Sequence, residues 1–283
     1  MKPVAGLQLQ GRYELVEQIA LGGMGQVWRA TDLRSGRAVA AKILRPELTG
    51  AEIFLSRLRA EAKNSKGLRH PNLAVVLDSG EKDGTGWLIM ELVQGRALSD
   101  IIAEKGTLSP AEILPVLAQV ARALQVVHDS GVVHRDVKPS NILLGKAAPG
   151  QPERVVLSDF GAALAPHHSP TAADEPLAAT LAYVAPEVLT GQPLDGRADI
   201  YSLGCTLFRL LSGTHPFNTS AGAPATAHNH LAVPAPRLSD RLSWASPQLD
   251  DVIATALAKQ PEHRWPTAGA FAAAVAAGHI DPR

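Results

Sequence analysis

The hydrophobic pattern of this 283-residue chain changes near residue 93, and the change limits the folds that the chain can adopt. Before that point, short apolar or alternating runs are separated by glycine and aspartate turns, which is typical of strands. These runs are Tyr13 to Ala20, Val27 to Thr31, Ala38 to Ile43, Ala74 to Asp78 and Trp87 to Leu92. After Gly95 the apolar residues recur at a helical period. The sequence therefore predicts an α+β protein with a small β-rich lobe, residues 1–93, and a larger mainly helical lobe, residues 94–283.

Helix signals support this division. Thr49 and Glu52 have capping-box spacing and predict one helix among the strands of the first lobe. In the second lobe, the run from Ser109 to Glu112 combines an N-cap, a proline at the first helical position and a glutamate at the third. Pro115 lacks a backbone N–H, so we expect a kink or a late start in that helix. Further helices are predicted at Asp199 to Ser212, Ala225 to Leu231, Pro247 to Lys259 and Thr267 to Ala277.

Composition argues against several classes of function and location. The 27 basic residues balance 27 acidic ones, so we expect no nucleic-acid partner. The single Cys205 cannot form an internal disulfide, and Met1 to Gly6 lacks the apolar core of a signal peptide, which together predict a cytoplasmic protein. No membrane segment is expected, because no stretch approaches the ~20 apolar residues of a span. His167-His168 and His228-Asn229-His230 lack further ligands at metal-binding spacing, and we interpret them as solvated loop histidines.

Two motifs in the first lobe suggest a site for phosphate groups. The glycine turn Gly22-Gly23-Met24-Gly25 lies between two strand-like runs, which predicts a hairpin whose backbone can approach phosphate oxygens. Lys42 ends a Val-Ala-Ala strand, and strand alternation directs its ammonium group away from Val39 and Ala41. A lysine fixed near phosphates needs an anionic partner, and Glu61 on the following helix is the candidate.

Two motifs in the second lobe add the groups that phosphoryl transfer requires. In the run from His134 to Asn141, Asp136 is placed to orient an attacking hydroxyl group and to accept its proton. Lys138 can neutralise charge on the transferred group, while Asn141 and Asp159 offer oxygen ligands to a hard metal ion.

Asp159 opens the sequence Asp159-Phe160-Gly161. Here Phe160 is expected to anchor the segment in the apolar interior, and Gly161 to permit a sharp turn. The motifs together favour a phosphotransferase that uses ATP and Mg²⁺, for which Mn²⁺ could substitute. We expect its phosphate-binding groups to surround one nucleotide in the cleft between the lobes.

These motifs resemble those of the eukaryotic-type (Hanks-type) serine/threonine protein kinases of bacteria, and the similarity covers nearly the whole chain. The sequence Gly-Gly-Met-Gly followed by Val27-Trp28, and His70-Pro71-Asn72-Leu73, suggest the bacterial branch. The resemblance implies a bilobal protein-kinase-like fold with a hinge near residues 91–93, a catalytic loop at 134–141 and an activation segment at 159–187.

The resemblance also implies a nucleotide site. Met90 would be the gatekeeper, and the backbone of the hinge from Glu91 to Val93 would bond to adenine. Val27, Ala40 and Leu143 would sandwich the adenine ring. The residues expected to contact the nucleotide are Ala20, Gly22, Gly23, Gly25, Val27, Ala40, Lys42, Met90, Glu91, Val93 and Leu143.

Structural roles follow from the same resemblance. Glu187, in Ala185-Pro186-Glu187, would pair with Arg264, and Asp199 would be a buried aspartate on the central helix. His134, Arg135, Phe160 and Gly161 would support the catalytic loop and the segment after it.

The implied activity is transfer of the γ-phosphoryl group of Mg-ATP to serine and threonine hydroxyls of protein substrates, together with autophosphorylation, for which a dimer is one partner that the sequence leaves open. Lys138, two residues after Asp136, follows the serine/threonine pattern, and the Thr180 hydroxyl would bridge these two residues. Arg135 is the family feature linked to control by phosphorylation, and Ser169 and Thr171 are the candidate phosphosites.

The chain departs from the family pattern at three positions. Ala20 replaces a glycine of the phosphate-binding turn, where a methyl group should change stability or affinity by about 1 kcal/mol if φ is negative. Ala179 and Leu181 replace a usual glycine and proline beside the peptide-binding segment, which leaves substrate preference open. Two other functions stay open as alternatives: a pseudokinase scaffold, and a small-molecule kinase that shares the fold.

Overall fold

The protein is described here by a computed structural model that covers residues 2–22, 25–45, 52–65, 67–146, 153–159 and 180–279, apart from the side chains of residues 53, 57 and 279. Its contacts divide the chain into two compact units. The first contains the described residues up to Arg69 together with Ala74–Gln94. The second contains His70–Leu73 and the described residues from Gly95 onward. The predicted α+β class is confirmed, because the first unit is β-rich and the second is mainly helical.

A six-stranded antiparallel sheet forms the first unit, in the order β1-β2-β3-β4-β6-β5. One helix, α1, follows β4 in the chain, and its apolar side packs on the sheet. The elements are β1 (Gln8–Leu9), β2 (Tyr13–Leu21), β3 (Gly25–Asp32), β4 (Arg37–Leu44), α1 (Glu52–Ser65), β5 (Val76–Lys82) and β6 (Thr85–Glu91).

Alternation along β4 gives the sheet two different faces. Val39, Ala41 and Ile43 enter a buried cluster with aromatic residues of neighbouring strands, including Trp28 and Trp87. The intervening residues of β4 point the other way, where Ala40 packs with Leu58 of α1 and with Leu88 and Met90 of β6. Lys42 therefore lies on the face that α1 covers.

The second unit consists of helices and a small three-stranded sheet, β7-β8-β9. Its helices bury most of their apolar residues, and α5 is almost completely enclosed. The elements are β7 (Gly95–Ala97), α2 (Leu98–Lys105), α3 (Pro110–Asp129), β8 (Ile142–Gly145), β9 (Arg154–Leu157), α4 (Pro186–Thr190), α5 (Arg197–Ser212), α6 (Ala223–Ala232), α7 (Pro247–Ala256) and α8 (Ala268–His279).

Helix α3 begins as its sequence predicts. The Ser109 hydroxyl accepts a bond from the Glu112 N–H, and the Glu112 carboxylate accepts one from the Ser109 N–H, at 3.4 and 2.8 Å. The helix is continuous from Pro110, so Pro115 does not delay its start. Among the described residues, α3 is the one helix long and apolar enough by length and composition to cross a membrane. Eight of its side chains are buried within the second unit, and this accounts for its apolar character.

Element boundaries differ from the predictions where the sequence signal is short. The predicted strand from Ala74 to Asp78 is β5, Val76–Lys82, because the chain up to Val75 does not pair as a strand. The predicted helix from Pro247 to Lys259 ends at Ala256. Two-residue β1 was not predicted, because two residues carry no periodicity.

A buried ion pair joins two distant parts of the second unit. The Arg264 guanidinium donates two bonds to the Glu187 carboxylate, at 2.6 and 2.7 Å, and both side chains are almost completely buried. Arg264 also donates to the backbone carbonyls of Ala258, Lys259 and Arg197. Its donors are therefore satisfied by α4, α5 and the chain after α7, which are far apart in sequence.

We expect Arg264→Leu to lower the free energy of unfolding by about 3–5 kcal/mol, because it leaves the Glu187 carboxylate buried without its cation. Chemical denaturation would measure this change. Arg96→Ala is the control, since Arg96 pairs with Glu104 at an exposed surface and its loss should change stability little. Equal effects of the two substitutions would contradict the assignment of Arg264 as a stabilising residue.

Candidate active site

In the first unit, Lys42 and Glu61 form a close ion pair. The Lys42 Nζ lies 3.2 and 3.0 Å from the two Glu61 carboxylate oxygens. Glu61 is 2% exposed and Lys42 is 13% exposed at the side chain. A carboxylate buried to this degree needs a cation nearby, so the pair fixes the lysine ammonium relative to the sheet. Strand β4 supplies the lysine and helix α1 supplies the glutamate.

Gly22 and Gly25, the described glycines of the predicted turn, lie at the end of β2 and the start of β3. Leu21 pairs with Gln26, and the Gly22 N–H donates to the Gly25 carbonyl at 2.8 Å. A Cβ at Gly25 would lie 2.7 Å from the Ile43 carbonyl oxygen, so the close approach to β4 requires glycine at this position. The predicted site residue Gly23 lies outside the described residues. Ala20 is within β2 and is not among the non-glycine residues with positive φ, so its methyl group causes no strain of that kind.

The other predicted nucleotide contacts of the first unit lie on β3, β4 and the end of β6. Ala40 pairs with Met90 across the sheet, and both are buried, while Val27 pairs with Lys42 and is half-buried. The Glu91 N–H donates to the Val75 carbonyl at 2.8 Å, and Val93 lies two residues beyond, half-buried. Leu143 belongs to β8 of the second unit and is half-buried.

In the second unit, Asp136 and three other polar side chains form one connected group. The Lys138 Nζ lies 2.8 Å from one Asp136 carboxylate oxygen and 2.9 Å from the Thr180 hydroxyl. The Asn141 amide nitrogen donates at 2.8 Å to the other Asp136 carboxylate oxygen and at 2.8 Å to the Asp136 carbonyl. Asp136 is therefore held from two sides by a cation and an amide. Thr180 joins the group although it lies 42 residues after Lys138.

Asn141 and Asp159 fit a site for a hard divalent cation. The amide nitrogen of Asn141 is bonded to Asp136, which turns its amide oxygen away from that residue. The Ser158 N–H donates to the Asn141 carbonyl at 2.9 Å, so Asn141 is tied to the residue before Asp159. Asp159 itself has a φ of 56°, an uncommon backbone conformation for aspartate. One amide oxygen and one carboxylate suit Mg²⁺, which completes its shell with waters and phosphate oxygens.

The loop that begins at His134 is anchored by Asp199, which is completely buried in the first turn of α5. Its carboxylate accepts bonds from the backbone N–H groups of His134 and Arg135 at 2.8 and 2.7 Å. The His128 Nε2 lies 2.7 Å from the same carboxylate. Arg135 has a φ of 68°, a strained conformation for a non-glycine residue, and the bond to Asp199 holds it there.

His134 is buried beneath the same loop. Burial lowers the pKa of its ring, although the carboxylates of Asp199, Asp136 and Asp159 act in the opposite direction. The Asp136 N–H lies 3.3 Å from its Nδ1, which matches an acceptor nitrogen on a neutral ring. His134 therefore supports the backbone of Asp136 from inside the unit.

The sequence did not predict a role for His128, whose ring is the third group in contact with the Asp199 carboxylate. Nothing in its local sequence marks it, because it looks like one more polar residue near the end of α3. A structural signal exists at Gly196, where a Cβ would lie 2.5 Å from His128 Nδ1. The glycine thus makes room for the ring beside Asp199.

Five predicted residues cannot be placed. Gly23, Phe160, Gly161, Ser169 and Thr171 all lie outside the described residues, as do Ala179, the predicted cap Thr49, and His167 and His168. Leu181, the other departure near the peptide-binding segment, is described and is buried.

One interpretation of the histidines is wrong. His228 is exposed, as expected, but His230 lies on helix α6 and is completely buried. His228 and Asn229, which precede His230, are polar, so the local sequence did not indicate that His230 would face the interior. Within the described parts of the chain, no group of three or more His, Cys, Asp or Glu residues could hold a metal ion.

The fold and these side chains define a kinase-type catalytic domain. Residues 13–275 match the protein kinase domain. The chain is 45% identical to serine/threonine-protein kinase PknJ of Mycobacterium tuberculosis over 94% of its own length and 45% of the relative's. It is 41% identical to PknA of the same organism, over 100% of this chain and 65% of the relative. The chain thus spans about half to two thirds of the length of these curated relatives.

A solved structure of the PknI kinase domain from M. tuberculosis gives a TM-score of 0.78 at 30% identity, with 98% of each chain covered. The chain belongs to the protein kinase domain family. The resemblance to bacterial Hanks-type kinases predicted from sequence is confirmed by these relatives.

We expect Asp199→Asn to lower the free energy of unfolding by about 1–3 kcal/mol, because an amide NH₂ would face a buried backbone N–H. Denaturant titration would measure this loss. Asp251→Asn, at an exposed position of α7, is the matched control and should leave stability unchanged. A stable Asp199→Asn variant would show that the three bonds to this carboxylate are not needed to hold the loop.

Proposed function

We propose that the protein is a serine/threonine protein kinase that transfers the γ-phosphoryl group of Mg-ATP to hydroxyl groups of protein substrates. The observation that carries the proposal is the group formed by Asp136, Lys138, Asn141 and Thr180, with its contacts of 2.8–2.9 Å. It combines a base, a cation and a possible metal ligand in one place, as phosphoryl transfer requires. The names of PknJ and PknA, both serine/threonine-protein kinases, support the same substrate class.

In the proposed reaction, a serine or threonine hydroxyl of the substrate attacks the γ-phosphorus of ATP. Its oxygen forms the new P–O bond, the bond from the γ-phosphorus to the β–γ bridging oxygen breaks, and ADP leaves with that electron pair. Asp136 orients the hydroxyl and accepts its proton. The Asn141 amide and the Lys138 ammonium hold the Asp136 carboxylate in one orientation, which favours a fixed angle of attack.

Cationic groups of the chain would stabilise the charge on the transferred group. Lys138 remains bonded to Thr180, so its ammonium group stays beside Asp136 instead of moving into solvent. In the first unit, Lys42 is the proposed phosphate-binding cation, and Glu61 restricts its position. Positioned charges in a partly dehydrated site are the main source of catalysis in phosphoryl transfer.

Asn141 and Asp159 are the proposed metal-holding residues, and Mg²⁺ is the proposed ion, with Mn²⁺ as a substitute. When bound, the metal would neutralise charge on the phosphate oxygens. The role of the chain is to present one amide oxygen and one carboxylate. The bond between the Ser158 N–H and the Asn141 carbonyl supports their fixed spacing.

Regulation and location belong to the same proposal. Autophosphorylation between two copies would require at least a transient dimer. Ser169 and Thr171 are the proposed acceptor sites of this autophosphorylation. A phosphate adds roughly −1.5 to −2 charge, which Arg135 could bind. The proposed location is the cytoplasm, where ATP is present and a lone thiol such as Cys205 stays reduced.

We expect Asp136→Asn to slow phosphoryl transfer about 10²-fold or more, equivalent to about 2.7 kcal/mol or more of barrier, because an amide cannot accept the hydroxyl proton. Radiolabelled ATP with a generic protein substrate would measure the rate. Asp240→Asn, at an exposed position, should retain full activity.

Other outcomes of this assay would favour the alternatives. Nucleotide binding without turnover in the unmodified protein would indicate a pseudokinase scaffold. Phosphorylation of aminoglycosides but not of proteins would indicate a small-molecule kinase. Unchanged turnover in Asp136→Asn would remove this residue from the mechanism.

After incubation with Mg-ATP, we expect phosphate on Ser169 or Thr171, because both lie in the segment between Asp159 and Glu187. Mass spectrometry of the intact segment would locate the modification. The Asp136→Asn variant serves as the control and should remain unmodified. An active enzyme whose segment 162–180 carries no phosphate would end the autophosphorylation proposal.

A further inference from the structure

A buried histidine with a defined hydrogen bond lies on helix α6, away from the catalytic loop. The ring of His230 is completely buried, and its Nδ1 lies 2.9 Å from the Tyr201 hydroxyl on α5. Its ring meets Phe217 edge to face, with 4.8 Å between centroids. This contact orients the ring, and a neutral ring whose Nδ1 accepts the Tyr201 proton carries its hydrogen on Nε2.

The other ring nitrogen points to a different part of the unit. The Nε2 of His230 is buried and makes no hydrogen bond of ordinary geometry. The backbone of Ala182 nevertheless acts on the ring and raises its pKa slightly, as a nearby carbonyl acceptor would. A buried N–H without an acceptor is costly, so the free energy of this ring depends on where the Ala182 backbone lies.

A second histidine contacts the next residue of the same segment. The His215 ring packs edge to face on Tyr183, with ring centroids 5.3 Å apart and an angle of 74° between the planes. Its Nδ1 is buried without a hydrogen-bond partner. Ala182 and Tyr183 are therefore each approached by an imidazole ring.

The segment that these rings approach carries Thr180. It is a tight turn in which the Tyr183 N–H donates to the Thr180 carbonyl at 3.1 Å and the Val184 N–H donates to the Leu181 carbonyl at 3.2 Å. The residues from Leu181 to Val184 are buried. The Thr180 hydroxyl contacts Lys138 at 2.9 Å, so the position of this turn sets a contact of the proposed catalytic group.

Both histidines are held neutral by their surroundings. Burial lowers the pKa of His230 to about 3 and that of His215 to about 4, and nearby cations act in the same direction. Lys259 is the cation beside His230, and Arg209 is the cation beside His215. The ionisable groups around the pair are Tyr183 on the turn, Glu187 on α4, Tyr201, Cys205 and Arg209 on α5, and Lys259 and Arg264 after α7.

We propose that His230, supported by Tyr201, and His215 are positioning residues that hold the Thr180–Val184 turn in the shape required by a protein substrate. They touch neither Asp136 nor Lys138 in the described contacts, and they act through Ala182 and Tyr183. The consequence would be specific to the acceptor side of the reaction, because the turn bears Thr180 and not the residues proposed to hold nucleotide. The kinetic part of this inference rests on the proposed kinase activity, whereas the positioning itself does not.

Hydrogen–deuterium exchange tests the positioning without any assay of activity. The Tyr201–His230 hydrogen bond and the His215–Tyr183 ring contact are each worth roughly 1 kcal/mol, so His230→Gln, His215→Gln and Tyr201→Phe should each speed exchange of the Tyr183 and Val184 amides about fivefold. His228→Gln is the matched control, because it removes an exposed histidine from the same helix. Unchanged exchange in this turn for the folded variants would overturn the inference.

Steady-state kinetics tests the consequence for the substrate. The KM for a protein substrate should rise about fivefold in the three variants, while the KM for ATP stays constant. Equal increases in both KM values would indicate general loosening and would overturn the substrate-specific role. If the unmodified protein transfers no phosphoryl group, the proposed function is wrong. The hydrogen–deuterium exchange experiment still tests whether the histidines position the turn. If His230→Gln does not fold, the same measurements on Tyr201→Phe and His215→Gln test the positioning role instead.

The neutral state of His230 predicts a pH dependence. Its folded pKa lies below the ordinary value of 6.5, so the unfolded chain binds the proton first. Its contribution to stability is complete above pH 6.5 and declines as the pH falls toward 3. Between pH 6.5 and 5, the unfolding equilibrium constant should therefore rise more steeply in the wild type than in His230→Gln, by up to about tenfold for each pH unit. Parallel pH profiles would contradict a neutral, buried His230.

Discussion

The second unit is organised around one buried carboxylate, that of Asp199. A charge without solvent is unfavourable unless several donors surround it, and here two backbone N–H groups and the His128 ring lie within 2.8 Å. Its place in the first turn of α5 adds the favourable end of the helix dipole. Because the backbone donors belong to His134 and Arg135, satisfying the carboxylate also fixes the strained loop that leads to Asp136.

Two further buried carboxylates are also stabilised by donors that surround them. Glu61 is buried against Lys42 in the first unit, and Glu187 is buried against Arg264 in the second. In each case the carboxylate comes from a helix and the cation from a strand or loop. Each pair therefore fixes the relative position of two elements within its own unit. In these pairs the carboxylate and the cation each satisfy a partner that would be costly to bury alone.

Three histidines are buried as neutral rings, so their burial needs no partner of opposite charge. His134, His215 and His230 all have lowered pKa values because they are buried, and a neutral imidazole carries no charge that a carboxylate must balance. His134 supports the loop of Asp136, while His215 and His230 approach the turn of Thr180. Neutral rings at both places add no further cation near the ion pair of Asp136 and Lys138.

The sequence alone determined the α+β class, the capped start of α3 and the motif residues, because periodicity, capping spacing and catalytic motifs are local properties. It also identified Glu61 as a partner for Lys42, since one helix follows β4. Only the tertiary structure decided what surrounds Asp199 and which face of α6 is buried. His128 meets Asp199 across 71 residues and His230 meets Tyr201 across 29, so neither contact leaves a local pattern. Long-range packing of helices selects those partners, and a single sequence records each of them only as an ordinary polar residue on a helix.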